Sequence, residues 1–79
     1  MSLPLITVYS RQGCHLCEEL IEELMPLVRG RAAVEVKDVD TDSVLVARYG
    51  NRVPVVEIGG NRLCEFRLDP DAVIRARSP

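Results

Sequence analysis

The chain opens its pattern with Leu5-Ile6-Thr7-Val8-Tyr9, a run rich in β-branched and aromatic residues. Such a run predicts a short strand buried on both faces. Ser10 to Gly13 is polar and predicts a turn. From about His15 the period changes. Leu16, Leu20, Leu24 and Val28, joined by Ile21 and Leu27, recur at helical spacing and predict one apolar stripe. Glu18, Glu19, Glu22 and Glu23 form the wet face. Pro26 lacks an N–H and predicts a kink near Glu22 or an early end, and Gly30 a stop.

Ala32 to Val39 alternates Val34 and Val36 against Glu35 and Lys37, the period of a second strand. Asp40-Thr41-Asp42-Ser43 offers capping groups for a short helix over Val44 to Tyr49, closed by Gly50. Val53 to Ile58 predicts a third strand with Pro54 at its start, Gly59-Gly60 a tight hairpin turn, and Asn61 to Cys64 the returning strand. Asp69-Pro70 is a helix start, with the last helix running to about Arg77. The order is β-α-β-α-β-β-α. Its first three elements form a crossover with parallel strands, and its last two strands an antiparallel hairpin.

At 79 residues this is one domain, 1–79. An apolar fraction of 47% and a net charge of −2 predict a folded chain rather than a disordered one. Ten Lys and Arg against twelve Asp and Glu, with only Tyr9, Tyr49 and Phe66 aromatic, argue against nucleic acid as a partner. The apolar run from Leu3 to Tyr9 is far short of the roughly 20 residues a membrane span needs. Met1 to Tyr9 also lacks the basic start and cleavage site of a secretory leader. The expectation is a cytoplasmic monomer with no membrane contact.

The cysteines carry the chemistry. An odd set, Cys14, Cys17 and Cys64, does not suit a structural disulfide framework. In a reducing compartment a close pair reads as redox or metal chemistry. Cys14 and Cys17 stand three apart where the first strand feeds the first helix, so both fall on neighbouring positions of one face. The free N–H groups of the first turn and the helix macrodipole favour the thiolate of Cys14. Arg11, and His15 when protonated, act in the same sense, while Glu18 and Glu19 oppose it. The expected cycle is attack by Cys14 on a substrate disulfide, followed by attack of Cys17 on Cys14 to release reduced substrate.

Three other readings stand beside this one. Cys14, Cys17, Cys64 and His15 could ligate zinc, although His15 lies between the two thiols and strains a tetrahedral set. The same cysteines could hold an iron–sulfur group, or serve as inert core residues in a binding module that keeps the fold.

Tyr9-Ser10-Arg11-Gln12-Gly13-Cys14-His15-Leu16-Cys17 resembles the Y-S-K/R-x-x-C-x-x-C pattern of glutaredoxins, and Val53-Pro54 resembles the V-P pair of the thioredoxin superfamily. With the Gly59-Gly60 hairpin at a fitting distance, the element order is similar over essentially the whole chain. The resemblance implies a thioredoxin-like, glutaredoxin-type α/β fold with a four-stranded mixed sheet flanked by helices, and thiol–disulfide oxidoreductase activity. It implies Cys14 as nucleophile and Cys17 as resolving thiol. It further implies that Val53 offers its backbone to substrate, that Pro54 is cis beside the sulfurs, and that Arg11 meets a glutathione carboxylate. His15 joins this set as an electrostatic tuner. No bound cofactor is implied. The partners are disulfide-bearing proteins, with glutathione a candidate co-substrate. Two positions depart from the pattern. C-H-L-C stands for C-P-Y-C, and Cys64-Glu65 stands where glutaredoxins carry two glycines, with Asp69 one residue late for their peptide-binding Asp. Cys64 is then either a third redox thiol or a small buried hydrophobe.

Overall fold

The computed structural model describes residues 3–77. β1 is Leu5–Ser10, with Ile6, Val8 and Ser10 turned inward and Thr7 and Tyr9 half-buried on the other face. That alternation is the pleat of a strand. Leu5 is exposed, so the strand is buried on both faces only beyond its first residue.

α1 is His15–Val28, and it buries Cys17, Leu20, Leu24 and Val28. The stripe is therefore rotated at its start. Cys17 takes the inward place expected of Leu16, which is 37% exposed. At 3.6 residues per turn Leu16 lies about 85° from the centre of the face that Cys17, Leu20, Leu24 and Val28 define. The helix also runs through Pro26 to Val28 rather than ending early. Proline removes only the donor to the Glu22 carbonyl, and both residues are exposed, so water can serve that oxygen. Gly30, at φ +77°, then turns the chain in a conformation that favours glycine.

β2, Ala33–Asp38, runs parallel to β1, with Leu5 opposite Ala33 and Ser10 opposite Asp38. It is an edge strand. Val34 packs against the core, but Val36, expected beside it, is 48% exposed and opens onto a cleft next to Cys17. A 3₁₀ turn, Val39–Thr41, leads to α2, Ser43–Tyr49, whose N-cap Asp42 accepts from the Val44 N–H at 2.8 Å.

β3, Val55–Ile58, and β4, Asn61–Glu65, form the hairpin. Gly59 and Gly60 both have positive φ, as a type I′ turn requires. α3, Pro70–Ala76, starts on Asp69, whose carboxylate accepts from the Ala72 N–H at 3.2 Å. The Arg77 guanidinium donates to the Leu27 carbonyl and ties the end of α3 to that of α1.

The sheet order is β2-β1-β3-β4, with β3 antiparallel to both β1 and β4. On one face α1 and α3 cover Ile6, Val8 and Val56, through Leu20, Leu24, Val28 and Val73. On the other, α2 closes a smaller core of Val39, Tyr49 and Val55, where the Tyr9 and Tyr49 rings stack at 4.0 Å. This is the mixed four-stranded α/β fold expected. Among the described residues no helix is long and apolar enough to cross a membrane.

Candidate active site

At one end of the sheet β1 and β2 finish, β3 begins and β4 finishes. The chain leaves β1 at Ser10, turns at Arg11 to Gly13 and enters α1 through Cys14, whose N–H donates to the Arg11 carbonyl at 3.3 Å. Cys14 is the N-cap of α1. Its backbone is extended and its Sγ accepts from the Cys17 N–H at 3.2 Å. The sulfur thus does the work usually done by a Ser or Asp oxygen, serving one orphan donor of the first turn.

The two thiols are free and unequal. Cys14 is half-buried, whereas Cys17, on the inner face of α1, is 2% exposed. Burial, reinforced by the hydrogen bond with Cys14, pushes the Cys17 thiol up to about 11, against the opposing pull of Arg11. Near neutral pH Cys17 is a protonated thiol.

Arg11 is built into a strut. Its Nε and Nη2 donate to the two Asp40 carboxylate oxygens at 2.9 and 3.0 Å, and its Nη1 to the Gly50 carbonyl at 3.2 Å. Asp40 raises the guanidinium pKa further, through the hydrogen bond and through charge. Gly50 permits the approach, since a Cβ there would sit 2.6 Å from the Val46 carbonyl oxygen and 3.4 Å from Arg11 Nη2. Arg11 and Cys17 line one cleft of about 290 Å³, together with Val36 and Asp38. The charge borders Cys17, and it is anchored on the 3₁₀ turn and on Gly50, which ends α2.

His15 is placed differently from the thiols. Its Nε2 lies 3.0 Å from Glu19 Oε1 one turn along, and its side chain is 81% exposed. Val53–Pro54 is a cis peptide. Val55 lies opposite Tyr9, so the register brings Pro54 level with Ser10, the last residue of β1. Pro54 is buried and its carbonyl accepts from the Phe66 N–H at 2.8 Å. Val53 packs on the Tyr49 cluster, and among the described residues its N–H and C=O have no backbone partner.

Cys64 pairs with Val56 and packs against the larger core. Burial pushes its thiol up, while a backbone hydrogen bond with Asp69 works against that rise. Of the four residues considered for zinc, Cys14 and Cys17 are in contact, His15 is turned to Glu19, and Cys64 lies in β4 opposite Val56. Among the described residues no group of three or more His, Cys, Asp or Glu side chains is placed to hold a metal ion.

Two residues escaped the sequence reading. Asp40 counted only as a capping group, because nothing local announces a partner at Arg11. Phe66 has φ +67° and is 45% exposed. The Arg67 N–H donates to the Glu65 carbonyl at 2.7 Å across it, which makes a γ-turn of the rare strained kind. The available signal was a lone aromatic between a strand and a helix cap.

The family model described as Glutaredoxin-like domain (DUF836) matches residues 5–76. The chain is similar to the solution NMR structure of protein Ne2328 from Nitrosomonas europaea, at 34% identity over 99% of this chain and 95% of that one, with a TM-score of 0.85. It is similar to the X-ray structure of protein XcR50 from X. campestris, at 30% identity over 89% of this chain and 91% of that one, with a TM-score of 0.67. The holo form of glutaredoxin C1 from Populus tremula x tremuloides shares the fold, at 24% identity over 89% of this chain and 70% of that one, with a TM-score of 0.50. No curated protein matches.

Proposed function

The chain belongs to the Glutaredoxin-like domain (DUF836) family, and on that premise we propose that it is a thiol–disulfide oxidoreductase working through Cys14 and Cys17. The observation that carries this reading is the inequality of the pair. One sulfur caps the helix and is reachable, and the other is buried and held as a thiol.

The inequality assigns an order. With Cys17 at about 11, only about one in 10⁴ of its thiols is ionised at pH 7. First attack therefore falls to Cys14. Its thiolate attacks one sulfur of the substrate disulfide, the S–S bond breaks, and the other half leaves as a thiolate. Cys17 then loses its proton and attacks the Cys14 sulfur. A Cys14–Cys17 disulfide forms and the second half leaves, so two electrons have passed from the dithiol to the substrate. An external thiol reverses the process on the enzyme.

A high pKa suits the resolving role. A thiol about 2.5 pKa units above ordinary cysteine gains roughly tenfold in intrinsic nucleophilicity once ionised, for a Brønsted slope near 0.45. Its low ionised fraction is offset by proximity, since the attack is intramolecular. Arg11, fixed by Asp40, keeps a positive charge beside both sulfurs as they ionise.

The substrates proposed are disulfides of proteins or of glutathione. The unpartnered Val53 backbone supports an extended segment docking there as an added strand would. The setting proposed is the reducing cytoplasm, with the chain acting as a monomer.

The test is a pair of variants. Cys14→Ser is expected to abolish disulfide reduction, and Cys17→Ser to accumulate mixed disulfides visible by mass spectrometry. Full activity in Cys14→Ser would sink the reading. So would near-stoichiometric zinc or iron on the purified protein, which would point to the scaffold reading instead.

A further inference from the structure

Three arginines gather on the face of the sheet that α2 covers, toward the β3–β4 hairpin. Arg48 stands in the last turn of α2, Arg52 three residues beyond that helix, and Arg62 in β4, opposite Glu57. All three are exposed and line one cleft of about 520 Å³. Glu57, also in the lining, lies opposite Thr7, three residues back from Ser10. That places it about 10 Å along the strands from the end of β1 that feeds Cys14. The guanidinium of Arg48 lies over the Tyr49 ring, 5.4 Å from its centre, a contact that orients the charge without neutralising it. Arg62 gives Nη1 to Glu65 at 2.9 Å and keeps its other donors. Arg52 is anchored by its backbone, whose N–H donates to the Tyr49 carbonyl at 2.8 Å. Among the described residues neither Arg48 nor Arg52 has a carboxylate partner.

The balance of charge sets this cleft apart. The chain carries a net −2, and the two clefts along α1 each hold two carboxylates to one cation. Here three cations face one carboxylate, and that one already accepts from the Tyr49 hydroxyl at 3.0 Å. Gathering like charges costs Coulomb energy that an anionic partner would recover. We propose that this cleft docks an acidic segment of a partner protein, with carboxylates spaced along an extended chain meeting the separate guanidiniums. Guanidinium forks match carboxylates two bonds at a time. The three arginines come from three stretches of chain rather than one backbone cradle, so they suit charges spread along a peptide. The compact charge of a phosphate reaches fewer of them and meets the repulsion of Glu57. Exposed ion pairs are individually weak, and the rest of an acidic molecule repels an acidic partner. The cleft therefore contributes orientation and encounter rate more than affinity. Recognition of this kind is independent of the thiol chemistry.

The test titrates the isotope-labelled full chain at low salt and follows its backbone amide signals by NMR. Three probes are used: a hexapeptide alternating glycine and glutamate, its glutamine counterpart, and inorganic phosphate. Alternation sets the carboxylates on one side of an extended chain. The glutamate peptide is expected to give saturable shifts at Arg48, Arg52 and Asn61, which borders the same cleft, and the glutamine peptide none. Phosphate is expected to bind about tenfold more weakly, the scale of two exposed ion pairs forgone. Raising the ionic strength from about 0.01 M to about 0.1 M cuts the Debye length from about 30 Å to about 10 Å and is expected to weaken the peptide severalfold. Arg48→Gln combined with Arg52→Gln is expected to weaken it about tenfold. Arg31→Gln, in the turn after α1, is expected to bind as the parent does. No saturable shift, shifts centred away from the cleft, phosphate binding as tightly as the peptide, or an unchanged double variant would overturn the docking surface.

Discussion

Cys17 is buried while its neighbour in the motif, Leu16, is not, and the site's chemistry follows from that reversal. Had Leu16 turned inward, as the sequence pattern predicts, Cys17 would lie nearer solvent and lose the burial that keeps it protonated. The spacing of the cysteines was legible in the sequence. The near-complete burial of Cys17 was not, because it depends on helix rotation against the sheet. At His15 the structure adds a contact with Glu19 one turn along, which the motif alone did not announce. At Phe66 the backbone itself can be tested. A left-handed conformation costs a non-glycine residue about 1–3 kcal/mol when locally enforced. Phe66→Gly is therefore expected not to lower the melting temperature despite losing a ring, whereas Phe66→Ala is expected to lower it, with thermal unfolding by circular dichroism as the measurement.

Among the elements, α1 organises both core and site. Leu24 is fully buried on its inner face. Leu24→Ala is expected to cost about 2–5 kcal/mol in urea unfolding, and Leu16→Ala less than about 1 kcal/mol, which checks the helix rotation directly. Equal costs would contradict the assigned face. At α3, Asp69→Ala removes the N-cap bond to Ala72 and is expected to cost about 1 kcal/mol. Element order was readable because each boundary carries its own chemistry: Asp42 and Asp69 cap helices, Gly59-Gly60 turns a hairpin, and Gly30 ends α1. The bulge between Val56 and Glu57 and the Arg11–Asp40 strut were not readable. Both depend on strand neighbours that no local pattern specifies. Val36 was misread for a related reason, since alternation says which residues share a face but not whether that face is covered at an edge.

The whole molecule couples its stability to the protonation of buried groups. Cys17 at about 11 and Tyr49 at about 12 both lie above their ordinary values, Tyr49 through burial and then its hydrogen bond to Glu57. A fold that favours the protonated form keeps its full stability below the unfolded pKa and loses it as pH rises through the folded one. Urea midpoints are therefore expected to hold steady up to about pH 8.5 and to fall between there and about pH 12, with Cys64 acting in the same sense. A midpoint that rises with pH over that range would contradict the burial assigned to these groups. At the centre stands the difference in access between the two sulfurs of one motif, with burial holding Cys17 as a thiol. Alkylation of the reduced protein by iodoacetamide, followed residue by residue by mass spectrometry from pH 6 to pH 11, measures that difference directly. The expected result is modification of Cys14 first throughout the neutral range, with Cys17 reacting only as pH approaches about 11. Labelling of both at equal rates near pH 7, or of Cys17 before Cys14, would contradict it.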